Sequence, residues 1–462
     1  MPWTPPPALP NELVEEILLR IPPDDPASLA RAALTCRRWC GLVADPAFHR
    51  RRLALYGATP PMLGFVCYGV WDDDRCAYSR FVPTSSCRPP RADHRGCRAF
   101  DARHGRVLLH GRRQYKDFTV WNPITDQLVE LPRPPDFTGN SSMKATVLCA
   151  AATGACDHLD CHRGPFIVVV VGTNDDLEDV DFDRNGDYVG GSDLDEDDVR
   201  DIMHGGFRRV PKKMFACVYS SESGVWSEPT YANHPNDKVD WGRSALVGNT
   251  LYFELRKNDN ILEYDLGTRK MTVIALPPYP HAETIYAQFM HIQLTTMEDG
   301  GLGFARLEES NELCVWSRDE GTEVVRDWLD NVTGWTLCKV IDLKKVSPLI
   351  DPMPYRNSLV GFMEGKGIAF VAVRNKLFTI DLKSGLMRKV FEGCSIIFCA
   401  VPYITFCTPG TNLRRCGNLY PVTRKHALQE AFVNGFHPTI IHLSRNSFDK
   451  CLDFPLANVA NS

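Results

Sequence analysis

One short unit recurs along the chain and limits its fold more than any other feature. Val120-Trp121-Asn122-Pro123-Ile124-Thr125-Asp126-Gln127-Leu128-Val129-Glu130-Leu131-Pro132 reads as strand, polar turn, strand. Residues 261–271 repeat the pattern and run on to Leu276-Pro277-Pro278; residues 377–387 repeat it again, and 216–226 form a weaker copy. In each, a polar turn joins two strands that can form the outer hairpin of a blade. A further strand precedes three of them, at 105–109, at 245–255 with a turn at Gly248-Asn249, and at 365–373. From about Pro60 onward, runs rich in Val, Ile, Phe, Tyr and Trp alternate with Gly, Asn, Asp and Pro turns, an all-β signal. Strands recurring over roughly 400 residues point to a β-propeller, because a single sandwich rarely grows that large. The repeats suggest about six blades. Strands at 63–68 and 80–82 are expected to pair with 396–406 and close the ring, which removes exposed sheet edges.

The first 56 residues differ in character. Leu13, Val14, Ile17, Leu18 and Ile21 recur at helical spacing. Pro10 suits the first helical position, Glu12, Glu15 and Glu16 lie near the positive end of the helix dipole, and Pro22-Pro23 stops the helix. Asp25 can cap a second helix with Pro26 at its first position. That helix carries Leu29, Ala32 and Ala33, with helical character continuing through Cys36, Trp39, Leu42 and Val43. Asp45-Pro46 opens one more short turn toward Phe48 and the basic run Arg50-Arg51-Arg52.

Taken in order, Leu9-Pro10, Leu13, Glu16-Ile17-Leu18, Arg20-Ile21-Pro22, Cys36-Arg37-Arg38-Trp39, Leu42-Val43, Asp45-Pro46-Ala47-Phe48 and Arg51 resemble an F-box. The stretch from Trp121 to Pro132, with the rest of the strand-rich region, is similar to the propeller that follows the F-box in plant F-box proteins of the kelch-like or F-box-associated kind. Ala30 and Ala33 depart from the pattern, standing where many F-boxes carry larger aliphatics.

The resemblance implies a substrate-recognition adaptor of an SCF-type E3 ubiquitin ligase. Its F-box would dock a Skp-type adaptor, and through it a cullin–RING ligase, while the propeller holds an unknown protein substrate. Such a chain is not an enzyme and needs no cofactor; it acts by tethering. The residues expected at the adaptor surface are Leu9, Pro10, Leu13, Ile17, Leu18, Ile21, Trp39, Leu42 and Phe48. Packing of these residues as the core of a small helical domain is the competing reading.

Other constellations carry less. The formal net charge of −5 argues against a nucleic-acid or membrane surface. The 17 cysteines are odd in number and irregular in spacing, and no signal-like segment precedes them. The expectation is therefore a soluble intracellular protein of cytoplasm and/or nucleus with reduced thiols, in which the sequons at Asn140 and Asn331 are without meaning. Residues 174–205 are strongly acidic and read as a disordered insertion. Within them Asp181-x-Asp183-x-Asn185-Gly186-Asp187 begins like a calcium loop, but Ser192 stands where the bidentate Glu belongs.

Cys156-x-His158-x-x-Cys161-His162, with Cys149 nearby, offers soft ligands. Seven residues cannot easily wrap one ion, so the expectation is a loop with incidental thiols and no metal. Trp71-Asp72-Asp73-Asp74, Arg103-His104-Gly105-Arg106 and Arg112-Arg113 read as solvated loop charges. Trp226, Trp241, Trp316, Trp328 and Trp335 read as blade core.

The expected organisation is a flexible N-terminus at 1–8, a helical F-box at 9–56, a propeller at 60–455 with the acidic insertion, and a tail at 456–462. A propeller lectin, a ligand-binding propeller and a non-degradative F-box scaffold are the alternatives. An enzyme would show convergent polar residues with shifted pKa values in the central channel. A lectin would show exposed aromatics with hydrogen-bonding partners, and a pure adaptor neither.

Overall fold

The computed structural model describes residues 9–405 except 57–59, 72–75, 112–117, 136–141, 152–155, 157, 159–160, 180–206, 233–237, 240–241, 257–259, 279–291, 320–333, 352 and 354–355. The expectations for 1–8, the calcium-like segment, Trp241, Trp328, Asp72 to Asp74, Arg112-Arg113, both sequons and everything after 405 lie outside the described residues. The chain divides into a helical unit and a strand unit. No helix among the described residues is long and apolar enough to cross a membrane.

The helical unit has four helices, α1 (Asn11–Leu19), α2 (Pro26–Thr35), α3 (Arg37–Val43) and α4 (Pro46–Tyr56). Pro10 is the N-cap of α1, one position earlier than expected. Asp25 caps α2 as anticipated, accepting from the Ser28 N–H at 3.2 Å with Pro26 at the first position. It also accepts from Ser86 Oγ at 2.7 Å, within the short segment Ser85–Cys87 that belongs to this unit. Cys36 is fully extended (φ −157°, ψ 163°) and separates α2 from α3, where continuous helix was expected. Asp45-Pro46 opens an eleven-residue helix and not a short turn. The core is Val14, Leu18, Leu19, Leu29, Ala33, Val43 and Phe48, so the small Ala33 is packed directly into it.

The strand unit contains β1 (Met62–Trp71), β2 (Ala77–Pro83), β3 (Asp93–His94), β4 (Cys97–Arg103), β5 (Arg106–Gly111), β6 (Phe118–Asn122), β7 (Gln127–Glu130), β8 (Ser142–Cys149) and β9 (Phe166–Asp179). Then come β10 (Phe207–Ser220), β11 (Val225–Trp226), β12 (Thr230–Ala232), β13 (Ala245–Val247), β14 (Thr250–Glu254), β15 (Asn260–Asp265), β16 (Met271–Ala275) and β17 (Ile292–Thr296). The last are β18 (Leu302–Leu307), β19 (Glu312–Arg318), β20 (Trp335–Asp342), β21 (Asn357–Met363), β22 (Ile368–Val373), β23 (Lys376–Asp381), β24 (Met387–Glu392) and β25 (Cys394–Ile404). They form six antiparallel sheets, the six blades of a propeller. The innermost strands β25, β4, β8, β13, β17 and β21 succeed one another around the ring. The ring closes as expected: β25 pairs along β1 from Met62↔Ile404 to Trp71↔Cys394.

The repeat has one local cause. The outer hairpins β6–β7, β15–β16, β23–β24 and β10–β11 share a five-residue turn. Its last N–H donates to the first carbonyl at 2.8 Å: Asp126 to Asn122, Arg269 to Asp265, Gly385 to Asp381 and Gly224 to Ser220. The donor takes positive φ each time, 56°, 57°, 69° and 73°. The first residue braces the turn with its side chain. Asn122 Oδ1 accepts from Ile124 and Thr125, Asp265 Oδ1 from Gly267 and Thr268, Asp381 Oδ1 from Lys383 and Ser384, and Ser220 Oγ from Glu222. A short side-chain acceptor at that position is what makes the motif readable.

Residues 174–179, expected within the disordered insertion, are strand. β9 runs through Asp179 and pairs with β10 from Phe207, with Glu178 opposite Arg208 and Leu177 opposite Arg209.

Candidate functional site

The adaptor face expected from the motif splits in two. Leu13 and Ile17, 52% and 50% exposed and one turn apart, form an apolar stripe on α1 that the exposed Leu9 (49%) and Pro10 extend just before the helix. Leu18 and Phe48, each 1% exposed, belong to the core of the unit and correct the expectation of a surface role. One step along a helix turns a side chain by about 100°, so Ile17 and Leu18 cannot share a face. Ile21, Trp39 and Leu42 are half-buried and pack against that core.

Polar contacts fix the stripe in place. Arg51 of α4 pairs with Glu15 at 2.7 Å and Glu16 at 2.5 Å. Arg38 of α3 donates to Asn11 Oδ1 at 2.5 Å and to the Leu9 carbonyl. These pairs lie at the surface, where each contributes at most about 1 kcal/mol. Their effect is to set how α1 lies on α3 and α4, with the apolar ridge left half-exposed.

The propeller interior is polar. Asp101, fully buried near the end of β4, accepts from Arg103 Nη1 at 2.5 Å, from Arg243 Nη2 at 3.3 Å, from Thr146 Oγ1 and from the Val147 N–H at 3.2 Å. Arg103 reaches on to Glu364 and to Ser244, and Arg243 to the carbonyls of Ala102 and Phe362. Arg103 and Arg106 are therefore buried, where solvated loop charges were expected. Burial alone would raise the Asp101 carboxyl, but the Arg103 and Arg243 guanidiniums and the Thr146 hydroxyl outweigh it and hold the pKa below the ordinary value.

Burial pushes Lys144, on β8, down to about 7, helped by the nearby Arg98 charge, and its ammonium sits 4.9 Å from the centre of the Phe100 ring. The chemistry anticipated for an enzyme's channel is thus present in part. However, Asp101, Arg103 and Arg243 are closed on one another, and Lys144 is 2% exposed. The arrangement ties β4 to the segments after β21 and before β13.

The cysteine-rich loop is gathered more tightly than its sequence suggested. Sγ of Cys149, Cys156 and Cys161 and a ring nitrogen of His158 lie within 4.8 Å of one another. His162 is not among them: its ring Nε2 accepts from Arg163 Nε at 3.3 Å, and its carbonyl accepts from Asn122 Nδ2 at 3.3 Å. None of the fourteen described cysteines forms a disulfide.

Of the expected core tryptophans, Trp335 is buried, Trp316 packs against a blade core, and Trp226 is half-buried, with Nε1 donating to the Pro132 carbonyl at 2.7 Å. Trp71, grouped by sequence with loop charges, is buried at the end of β1, with Nε1 donating to the Tyr78 carbonyl at 3.0 Å.

No curated protein matches the chain. Among solved structures, apo AztD from Citrobacter koseri is 9% identical over 70% of this chain and 78% of its own, with a TM-score of 0.30. The Cps50 (Swd1) beta-propeller domain of Myceliophteria thermophila is 11% identical over 66% and 88%, with a TM-score of 0.33. A Lactobacillus plantarum protein is 12% identical over 73% and 98%, with a TM-score of 0.35. Two family models match the chain itself: F-box-like at residues 7–54, over α1 to α4, and the beta-propeller of F-box protein AT5G49610-like at 195–402, from β10 into the closing strand β25. The chain thus joins a four-helix unit matched by the F-box-like model to six blades whose second part, from β10 into β25, is matched by the propeller of an F-box protein.

Proposed function

We propose that the chain is the substrate-recruiting subunit of an SCF-type ubiquitin ligase, acting in cytoplasm and/or nucleus. Leu9, Pro10, Leu13 and Ile17 dock the Skp-type adaptor, with Ile21, Trp39 and Leu42 at the margin, and the propeller carries a protein substrate. The chain performs no chemistry. It raises the local concentration of a substrate lysine near the ubiquitin-conjugating enzyme.

One observation carries this reading. The half-exposed stripe of Leu9, Leu13 and Ile17 runs from just before the first helix of the F-box-like region along it, a ridge of large apolar side chains that burial against a partner stabilises. The closed ion cluster of the propeller interior supports a surface-binding role over a catalytic channel.

The test is a pull-down of the recombinant chain with a recombinant Skp-type adaptor, comparing wild type with the double variant Leu13→Asp/Ile17→Asp. Both positions are exposed, so the variant keeps its fold. Burying each half-exposed side chain is worth about 1–1.5 kcal/mol, and a buried unpaired carboxylate costs more, so binding falls by at least roughly a hundredfold. Equal capture of the two proteins would overturn the assignment.

A further inference from the structure

We propose that Cys149, Cys156, His158 and Cys161 form a structural zinc site that clasps the loop between β8 and β9. The four ligand atoms already lie within 4.8 Å of one another, with Cys161 Sγ 3.6 Å from His158 Nδ1. Zinc–sulfur bonds of about 2.3 Å and zinc–nitrogen bonds of about 2.0 Å place tetrahedral ligand atoms roughly 3.5–3.8 Å apart. The cluster therefore needs only a small contraction to hold an ion. Three cysteines and one histidine fill the coordination shell, which makes the site structural and not catalytic. Soft thiolates with one imidazole in four-coordinate array select zinc among the abundant divalent ions.

The sequence argument against a metal was that seven residues cannot wrap one ion. The fold removes it. Cys149 enters from the end of β8, seven residues before Cys156, and takes the fourth place that the sequence reading gave to His162.

The surroundings are built to receive the cluster. The β4–β5 turn beside it has both residues at positive φ, His104 at 52° and Gly105 at 72°. A Cβ on Gly105 would lie 2.6 Å from His162 Cβ, so only glycine lets the loop come this close. The His104 ring stacks on His158 at 4.0 Å and 15°, and its Nδ1 accepts from the Cys149 N–H at 2.9 Å. Cys156 Sγ accepts from the His158 N–H at 3.3 Å. Arg106, which is buried, donates Nη2 to the carbonyls of Cys161 and Gly164. When zinc binds, each cysteine gives its proton to solvent, and three thiolates with Zn²⁺ leave one negative charge. The adjacent Arg106 guanidinium offsets that charge, and His104 orients both His158 and Cys149 as an outer shell does.

The loop also needs a clasp. The equivalent inner connections have two residues in β4–β5 and β13–β14, four in β21–β22 and five in β17–β18, whereas β8–β9 has sixteen. Among its described residues only His162 is buried, so no apolar core holds it. Loops of that length inside a domain are uncommon without a binding role or a cross-link.

The test is metal analysis of the full chain purified from zinc-supplemented medium, with site-resolved alkylation. The expected result is one zinc per chain, and protection of Cys149, Cys156 and Cys161 from alkylation while the exposed Cys76 and Cys338 react. Replacement by Co²⁺ should give the d–d and thiolate charge-transfer bands of a tetrahedral site. Cys156→Ser/Cys161→Ser should lose the zinc, the bands and the protection. His158→Cys should keep one zinc with cobalt bands of greater sulfur character, which reads out the site even if the serine variant fails to fold. Chelation should speed proteolysis within 150–165 at least tenfold. No bound zinc in the wild type, a disulfide between any two of these cysteines, or bound zinc with all three thiols still reactive would each overturn the proposal.

Discussion

Asp101→Ala removes the carboxylate on which two buried guanidiniums converge. In the substituted protein Arg103 keeps Glu364, while Arg243 keeps only the carbonyls of Ala102 and Phe362 among its described partners. Breaking a buried ion pair from one side costs about 3–5 kcal/mol, because the remaining charge has lost its compensation but not its desolvation. At roughly 2 °C per kcal/mol for a large domain, the propeller should melt about 6–10 °C lower at neutral pH, followed by near-ultraviolet circular dichroism.

The pH dependence has a definite sign. Asp101 titrates below its ordinary value in the folded chain, so on acidification the unfolded chain takes the proton first. Its contribution is complete above the unfolded carboxylate value of about 3.9 and is lost as pH falls through the lower folded value. The stability gap between wild type and Asp101→Asn should therefore be constant from about pH 5 to 8 and narrow below about pH 4. A loss under about 1 kcal/mol, the scale of an exposed pair, would refute the claim that this cluster holds the ring.

Two further outcomes separate core from surface. Leu18→Ala should cost the helical unit about 2–5 kcal/mol, seen as an earlier far-ultraviolet melting step, while Leu13→Ala should change stability by no more than about 0.5 kcal/mol. Gly361→Ala should destabilise the propeller by about 1–3 kcal/mol or more in urea unfolding, because the new Cβ collides with the backbone carbonyl of Ala400 on β25.

What could be read from the sequence follows from the range of the forces involved. The outer hairpins were legible because one local turn, with Asn122, Asp265, Asp381 or Ser220 at its head, writes itself into five consecutive residues. The F-box helices were legible from spacing and proline. The break at Cys36 was not, since nothing but its extended backbone marks it. Helical spacing separates Ile17 from Leu18 by about 100°, and packing shows which of the two faces the core. The interior cluster was out of reach: Asp101, Arg243 and Glu364 meet only because the ring brings three inner segments together. The same applies to Cys149, whose place beside Cys161 depends on how β8 ends.

The pairing of β1 with β25 has a consequence for synthesis. Residues 62–71 leave the ribosome more than three hundred residues before their partner strand at 394–404. Until then the first blade lacks its inner strand and the ring stays open, with one edge ready to pair with any extended segment nearby. The apolar core of the helical unit lies within the first 56 residues, and Ser85–Cys87 joins it soon after. A nascent chain would thus display its apolar ridge well before the propeller ring is closed. A chain stopped before 394 would keep that ridge and lack the closed ring; under the proposed function it would occupy the adaptor and deliver nothing.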